Sequence, residues 1–294
     1  STLTSLAHPD LSLAPSVPEI GFIHRRAGDA EIYFLANTDN MPHKTKATFR
    51  TEGMEPDWWD PMTGGIRPAA VVDRGAGSIS VALELAPYES RVLVFSRRAS
   101  TSTQALPVFA GHPQEIDLST GWQVTFGDNG TPVKMDSLHS WTDDEKTRYY
   151  SGLAAYEKTF SLPGDFLSKG VRAILDFGEG KPTAPQAPRT NGMRALLEGP
   201  VREAAVVTVN GRRAGSVWCP PYSVDVTEFL KSGENRIRIV VGNTAINHMS
   251  GHALPDYRLL NLRYGERFQA QDMDKVQPVE AGLLGSIRLL SNSK

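Results

Sequence analysis

Apolar and polar positions alternate along much of this chain with the period of two that is typical of half-exposed β-strands. In the N-terminal third, short alternating runs are separated by turn residues, and they occupy 20–24, 31–37, 46–50, 79–85 and 91–95. Short strands at regular spacing, with no long amphipathic stretch among them, predict an antiparallel β-sandwich.

A polar stretch without periodicity, RRASTSTQA at 97–105, follows this region and has the composition of an exposed linker. The strand pattern then returns at 122–126, 154–160 and 171–177, and a closing strand is expected within 282–290. We therefore predict an all-β chain of two antiparallel sandwiches. Its parts are an N-terminal extension (1–16), a first sandwich (17–98), a linker (99–105) and a second sandwich (106–294).

Within the second sandwich, 178–200 is rich in Pro, Gly, Ala and Arg, and this composition predicts an insertion between two strands. The insertion is expected to be a solvent-exposed loop, with a binding role or mobility as the alternatives. The stretch 204–243 has the clearest turn signals. Asn210-Gly211 predicts a type I′ hairpin, because both residues tolerate positive φ. Asp225 is suited to capping a single helical turn, and the polar run at 231–235 predicts a second reversal.

This order of strands and turns resembles the galactose-binding-like jelly roll of glycoside hydrolases. Two further sets of motifs resemble the C-terminal sandwiches of the family 106 α-L-rhamnosidases. In the first region these are FIHRR at 22–26, IYFLAN at 32–37 and WDPMTG at 59–64. In the second they are Trp141, YSGLAAYEKTFSLP at 150–163, LPDY at 254–257, YG at 264–265 and GLLG at 282–285.

The resemblance implies an immunoglobulin-like sandwich followed by the jelly roll, and a carbohydrate-recognition and scaffold role in a rhamnosidase-like glycoside hydrolase. Enzymes of that family carry their catalytic carboxylates on an upstream (β/α) barrel. No βαβ alternation precedes Glu19, and a barrel needs about 200 residues or more. The family's catalytic residues therefore match no position here. The resemblance also implies docking to a catalytic barrel domain, and a periplasmic or secreted location.

Composition narrows the choice of partner. The length of 294 residues suits two domains of about 100–200 residues each. The formal net charge is −2, with charges interspersed, so neither nucleic acid nor a membrane surface is indicated. A lone cysteine, Cys219, excludes an intrachain disulfide. No apolar run reaches the length of a membrane span, and the first residues do not have the pattern of a signal peptide.

Sugar recognition requires flat rings for the C–H faces of a pyranose and planar polar groups for its hydroxyls. The residues that we predict for carbohydrate binding lie in expected loops and are Trp141, Tyr150, Tyr222, Asn243, His248, Asp256 and Tyr257. Tyr149 and Trp218 are further stacking candidates. Trp218 has a core position as its alternative, and Trp58-Trp59 is expected to fill the first sandwich.

Cofactors are not indicated, except a structural calcium ion, to which the 128–130 turn and Asp225 are potential contributors. His248, His252 and Asp256 recur every fourth residue, the spacing of a metal triad on a helix. Gly251 and Pro255 interrupt that segment, so we predict no metal site there.

Two other functions remain open at this point. One is a compact stand-alone glycoside hydrolase with a carboxylate pair in the 243–280 loops, for which Asp256, Glu266 and Asp272 are the candidates. The other is an adhesion or assembly module without sugar affinity. Motifs for serine nucleophiles, metalloproteases, phosphate loops and dinucleotides are absent from the sequence.

Overall fold

The computed structural model describes residues 9–62, 64–97, 114–164, 166–167, 171–184, 195–252, 256–266 and 276–292. The predicted linker and the candidate Asp272 lie outside the described residues. The described chain divides into two compact units: the first is Ser1–Val108 with Gly180–Glu198, and the second is Phe109–Glu179 with Gly199–Lys294. The chain is nearly all-β, as the alternation predicted.

The strands that belong to the first unit are β1 (Leu11–Ala14), β2 (Ile20–Ala27), β3 (Ala30–Asn37), β4 (His43–Phe49), β5 (Glu55–Trp59), β6 (Ile66–Pro68), β7 (Val71–Gly75), β8 (Ser78–Leu85) and β9 (Ser90–Ser96). The next five strands belong to the second unit and are β10 (Gln114–Asp117), β11 (Thr120–Phe126), β12 (Val133–Ser137), β13 (Leu153–Leu162) and β14 (Arg172–Asp176). The short strands β15 (Lys181–Pro182) and β16 (Leu197–Glu198) return to the first unit.

The remaining strands of the second unit are β17 (Val201–Arg202), β18 (Ala204–Val209), β19 (Arg212–Val217), β20 (Ser223–Asp225), β21 (Gly233–Gly242), β22 (Gly282–Leu283) and β23 (Arg288–Asn292). Its helical elements are two single 3₁₀ turns, Trp141–Asp143 and Thr227–Phe229, and the short helices α1 (Ile246–Ser250) and α2 (Arg258–Tyr264). Among the described residues, no helix has the length and hydropathy needed to cross a bilayer.

The first unit is a sandwich of two antiparallel sheets, ordered β1-β4-β8-β7 and β2-β3-β9-β5-β6. Its core is formed by the inward positions of the alternating strands, among them Tyr33, Leu35, Phe49, Leu83 and Phe95. Because β1 pairs with β4, the predicted extension at 1–16 contains a strand of this sandwich.

The two adjacent tryptophans of β5 have different environments. Trp58 is buried in the core, as predicted, whereas Trp59 is exposed. Successive side chains of a strand point to opposite faces of the sheet, so a single strand cannot bury both rings in the same core. The expectation that both would fill the sandwich is wrong for Trp59.

The described parts of 180–198, which we predicted within an insertion in the second sandwich, belong to the first unit. The Asn40 side chain donates to the carbonyl oxygens of Thr183 (3.0 Å) and Leu196 (2.9 Å). The Leu196 N–H donates to the Tyr88 hydroxyl at 2.9 Å. These bonds, together with the β15–β16 pairing, tie the described ends of the segment to the first sandwich.

The second unit is also a sandwich, with a six-stranded sheet β12-β11-β13-β21-β18-β19 and a four-stranded sheet β10-β23-β14-β20. Asn210 and Gly211 adopt positive φ values of 49° and 80°, as the predicted hairpin between β18 and β19 requires. The helical turn after Asp225 is present, but Val226 occupies its N-cap position. The Asp225 carboxylate instead accepts a hydrogen bond from the Thr227 N–H at 3.0 Å.

Candidate functional site

The pairing of β13 with β21 brings two loops of the second unit together. Leu153, the first residue of β13, lies opposite Gly242, the last residue of β21. The residues just before β13 (149–152) therefore meet the residues just after β21 (243–252). We call this group of residues the ring loops, and it contains three of the predicted binding residues, Tyr150, Asn243 and His248.

Asn243 holds the ring loops in place. Its side-chain oxygen accepts from the Gly152 N–H (2.9 Å), and its side-chain amide donates to the Tyr150 carbonyl oxygen (2.9 Å). The His248 N–H donates to the Ser151 hydroxyl at 2.9 Å, which fixes α1 against the same turn. Since both polar ends of the Asn243 amide are occupied by backbone groups, Asn243 orients the loop.

Exposed rings line the surface of the ring loops. A Cβ atom placed on Gly251 would lie only 2.3 Å from Cγ of Tyr149, so Tyr149 packs directly on the backbone there. Tyr149 nevertheless remains 44% exposed. The rings of His248 and His252 are stacked, with centroids 3.8 Å apart, and both residues are exposed. The arrangement combines flat apolar faces with imidazole nitrogens that can bond a hydroxyl.

Three predicted stacking residues serve the interior of the second unit instead. Trp141 is 1% exposed, packs edge-on against Phe126 and Tyr150, and donates its indole N–H to the Tyr156 hydroxyl at 2.5 Å. The half-buried Tyr150 donates its hydroxyl to the Leu153 carbonyl oxygen. Tyr222 is buried, with its hydroxyl against Gly199. Buried rings offer no face to a sugar, so Trp141 and Tyr222 are core residues.

The sequence contains a signal for the position of Trp141 that our prediction did not use. Ser140 and Asp143 form a capping box around the 3₁₀ turn, and the Trp141 N–H donates to the Ala281 carbonyl oxygen. The spacing Ser-x-x-Asp is typical of such a turn. The turn directs the Trp141 indole towards the sheet. Trp218, which follows β19, is by contrast 55% exposed, so it does not take the core position that was its alternative.

Asp256 and Glu266, the two described carboxyl groups that we considered for catalysis, are both exposed to solvent. Asp256 is exposed, accepts two-pronged hydrogen bonds from the Arg258 guanidinium, and therefore has a lowered pKa. Glu266 is exposed and borders a shallow groove with Arg258, Asn261 and Leu262. A general acid of a glycosidase needs a raised pKa. Hydrogen bonds and neighbouring charges lower the pKa of five described carboxyl groups: Asp10, Glu31, Asp117, Asp225 and Asp256.

No cluster of three potential metal ligands occurs among the residues that the structure describes. His248 lies on α1, which ends at Ser250, and His252 follows the helix. The Nδ1 atom of His252 lies 2.6 Å from the His248 carbonyl oxygen. The Asp225 carboxylate is hydrogen-bonded by Thr227 and Arg172. The predicted calcium ion stays a prediction.

Comparison with known proteins places these features in context. A sequence model of the α-L-rhamnosidase family matches residues 2–72. The structure of a rhamnosidase from Novosphingobium sp. PP1Y matches 99% of this chain with a TM-score of 0.72 and 25% identity. A protein from Formosa agariphila, described only provisionally as a β-glucuronidase, is 29% identical over 202 residues, which is 60% of this chain. A β-glucuronidase from an uncultured Clostridium species matches 65% of this chain at a TM-score of 0.40 and 21% identity.

This chain spans only part of each of these proteins. It covers 25% of the Novosphingobium rhamnosidase, 31% of the Clostridium enzyme and 16% of the Formosa protein. The similarity to the rhamnosidase runs through both units, because it covers nearly all of the chain. The chain is thus a rhamnosidase-like region of the kind found in glycoside hydrolases, built from β-sandwiches.

Proposed function

We propose that this chain is the carbohydrate-recognition and scaffold region of a rhamnosidase-like glycoside hydrolase, and that polypeptide outside it cleaves the glycosidic bond. One observation carries the proposal. The fold match to the Novosphingobium rhamnosidase covers 99% of this chain but 25% of that protein. A region that corresponds to a quarter of an enzyme can bind the sugar and support the enzyme's fold, while the remaining three quarters carry the catalytic residues.

The carboxyl groups of the described residues support this division of labour. A retaining or inverting glycosidase needs one carboxyl group that stays protonated near neutral pH, which burial in an apolar pocket usually provides. Asp256 has the opposite environment, since solvent and Arg258 both favour its charged form. The role that fits Asp256 is a solvated, structural one.

The ring loops are the surface that fits a sugar best. Tyr149 presents a ring supported from behind by the Gly251 backbone, and the stacked His248 and His252 lie on the same pair of loops. A rigid support limits the entropy lost when a ligand binds. The ring would contact the C–H face of a pyranose while the imidazole nitrogens bond its hydroxyls.

Calorimetric titration of the purified chain with α-L-rhamnosyl disaccharides tests the recognition role. We expect binding that weakens about fivefold or more in Tyr149→Ala and in His248→Ala, because each loses a ring contact worth about 1 kcal/mol or more. Tyr264→Ala is the matched control, since Tyr264 is similarly exposed but lies on α2. Equal affinities in the wild type and the two ring-loop variants would refute the assignment of this surface.

A further inference from the structure

The outer face of the five-stranded sheet in the first unit carries a continuous row of apolar side chains. Strand register places Ile23 opposite Phe34, Phe34 opposite Val92, Val92 opposite Trp59, and Trp59 opposite Ile66. We call these five residues the apolar row. It contributes one residue from every strand of the sheet and extends over about 19 Å, given about 4.8 Å between neighbouring strands.

The apolar row is accessible, and its alternation shows that it faces away from the core. Ile23 is 54% and Trp59 45% exposed, and Phe34 and Ile66 are exposed as well. The flanking residues of β3, Tyr33 and Leu35, point the other way and are fully buried. A solvated sheet face normally carries polar residues at such positions. Here every strand has an apolar residue at the same level of the sheet.

The surface continues beyond the row. Met62, three residues after Trp59, adds a further exposed apolar side chain, whereas Val94, two residues after Val92 on β9, is buried. The exposed apolar area is on the order of a few hundred Å², the size at which a surface patch usually has a binding role. Single exposed apolar residues need no explanation, but an aligned set across five strands does.

We infer that the apolar row is the surface on which the catalytic polypeptide of a rhamnosidase-like glycoside hydrolase docks. Three observations favour this occupant. Three of the five residues are aliphatic, and the Trp59 indole N–H is the only side-chain polar group of the row. Four of the five lie within residues 2–72, the segment that matches the α-L-rhamnosidase family. The remaining three quarters of the matching Novosphingobium chain supply polypeptide that this chain does not contain.

The inference rests on the proposed function, since it names the partner of the scaffold. Docking would bury Phe34 and Trp59 at the centre of the contact, where aromatic residues usually dominate affinity. The contact would hold the catalytic polypeptide beside the sandwich, and the Trp59 indole N–H is the one side-chain donor of the row that would need a partner in it.

Hydroxyl-radical labelling tests the inference directly. The full chain is compared with a chimera of the Novosphingobium rhamnosidase in which this chain replaces the quarter that it matches. Oxidation of Trp59, which is 45% exposed, is measured relative to that of Trp218, which is 55% exposed. We expect the Trp59 to Trp218 ratio to fall at least fivefold in the chimera. An unchanged ratio overturns the inference.

A pair of variants extends the test. The row variant is Phe34→Ser with Trp59→Ser, and the control is Leu259→Ser with Leu262→Ser, which removes the two most exposed leucines of α2. In the chimera, we expect the temperature of half-inactivation towards an aryl α-L-rhamnoside to fall by several degrees in the row variant only. Equal loss in both variants, or none in either, contradicts the docking role.

Measurements on the chain by itself keep the inference testable whatever the behaviour of the chimera. Binding of the dye bis-ANS should fall at least threefold in the row variant and change little in the control. A concentration-dependent dimer in sedimentation that the row variant abolishes would make a second copy the occupant and overturn the inference. Retention on a polysaccharide that requires Phe34 and Trp59 would overturn it as well. Glycoside hydrolysis by the chain alone would instead refute the proposed function.

Discussion

Replacing Tyr156 with phenylalanine is expected to lower the free energy of unfolding of the second unit by about 1–3 kcal/mol, the cost of leaving a buried donor without a partner. The Tyr156 hydroxyl accepts the Trp141 indole N–H at 2.5 Å and lies 3.4 Å from the Leu283 N–H. Trp141 and Tyr156 are both almost fully buried, so water cannot replace the lost oxygen. Burial also raises the pKa of Tyr156 to about 12, which keeps the hydroxyl neutral.

A double-mutant cycle isolates this interaction from the change in packing. Trp141→Phe removes the donor and leaves a small cavity, and the double variant removes both partners. Once one substitution has removed the hydrogen bond between Trp141 and Tyr156, the other substitution cannot remove it again. We therefore expect a coupling energy of about 1–2 kcal/mol. The assay is urea unfolding, fitted with separate transitions for the two units since a two-domain chain need not unfold in one step.

The same variants test whether Trp141 is a core residue or a sugar-binding one. We expect Trp141→Phe to reduce stability and leave the affinity for α-L-rhamnosyl disaccharides unchanged. A coupling energy near zero, together with loss of sugar binding at unchanged stability, would refute the assignment of Trp141 to the core.

Three further predictions concern the second unit. Asn235→Ala should lower the free energy of unfolding by about 2–4 kcal/mol, because the buried side-chain amide forms hydrogen bonds of 2.7–2.9 Å with Lys231, Gly233 and Asn210. In the same urea assay, the control Asn129→Ala, at an exposed position, should change the free energy of unfolding by no more than about 0.5 kcal/mol. Gly282→Ala should cost about 2–5 kcal/mol in thermal unfolding, since φ is 101° and a Cβ would lie 2.4 Å from the Trp141 indole nitrogen. At Asp225, burial alone would raise the pKa, but hydrogen bonds from Thr227 and Arg172 outweigh it and lower the pKa below 3.8. The charged form thus stabilises the fold above pH 3.8 and less below it, so the stability gap between the wild type and Asp225→Asn should narrow as urea titrations move from pH 5 to pH 2.

Local pattern was sufficient for most of the fold. Alternation located the long strands because burying one face of a sheet imposes a period of two, and Asn210-Gly211 identified its hairpin through backbone φ alone. Local pattern did not predict that the described parts of 180–198 belong to the first unit. Proximity along the chain favoured the second sandwich. The hydrogen bonds that Asn40 and Tyr88 form with the segment instead join residues more than a hundred positions apart in the sequence.

The candidate site was only partly predictable. Tyr150, Asn243 and His248 were identified from their residue types and do come together, because the β13–β21 register aligns their loops. Whether an aromatic ring faces solvent depends on its neighbours. Trp141 lies in a capped turn and is buried, whereas Tyr149 packs on the Gly251 backbone and yet remains 44% exposed. The number and type of aromatic residues in the sequence do not predict which of the two rings is buried.

The most direct test of the account is hydrolysis of aryl glycosides by the purified chain, with α-L-rhamnoside, β-galactoside and β-glucoside as substrates. We predict no turnover on any of them, with Asp256→Asn and Glu266→Gln indistinguishable from the wild type. Turnover that survives stringent purification and disappears in either carboxyl variant, with folding intact, would contradict the central claim that the chemistry lies outside this chain.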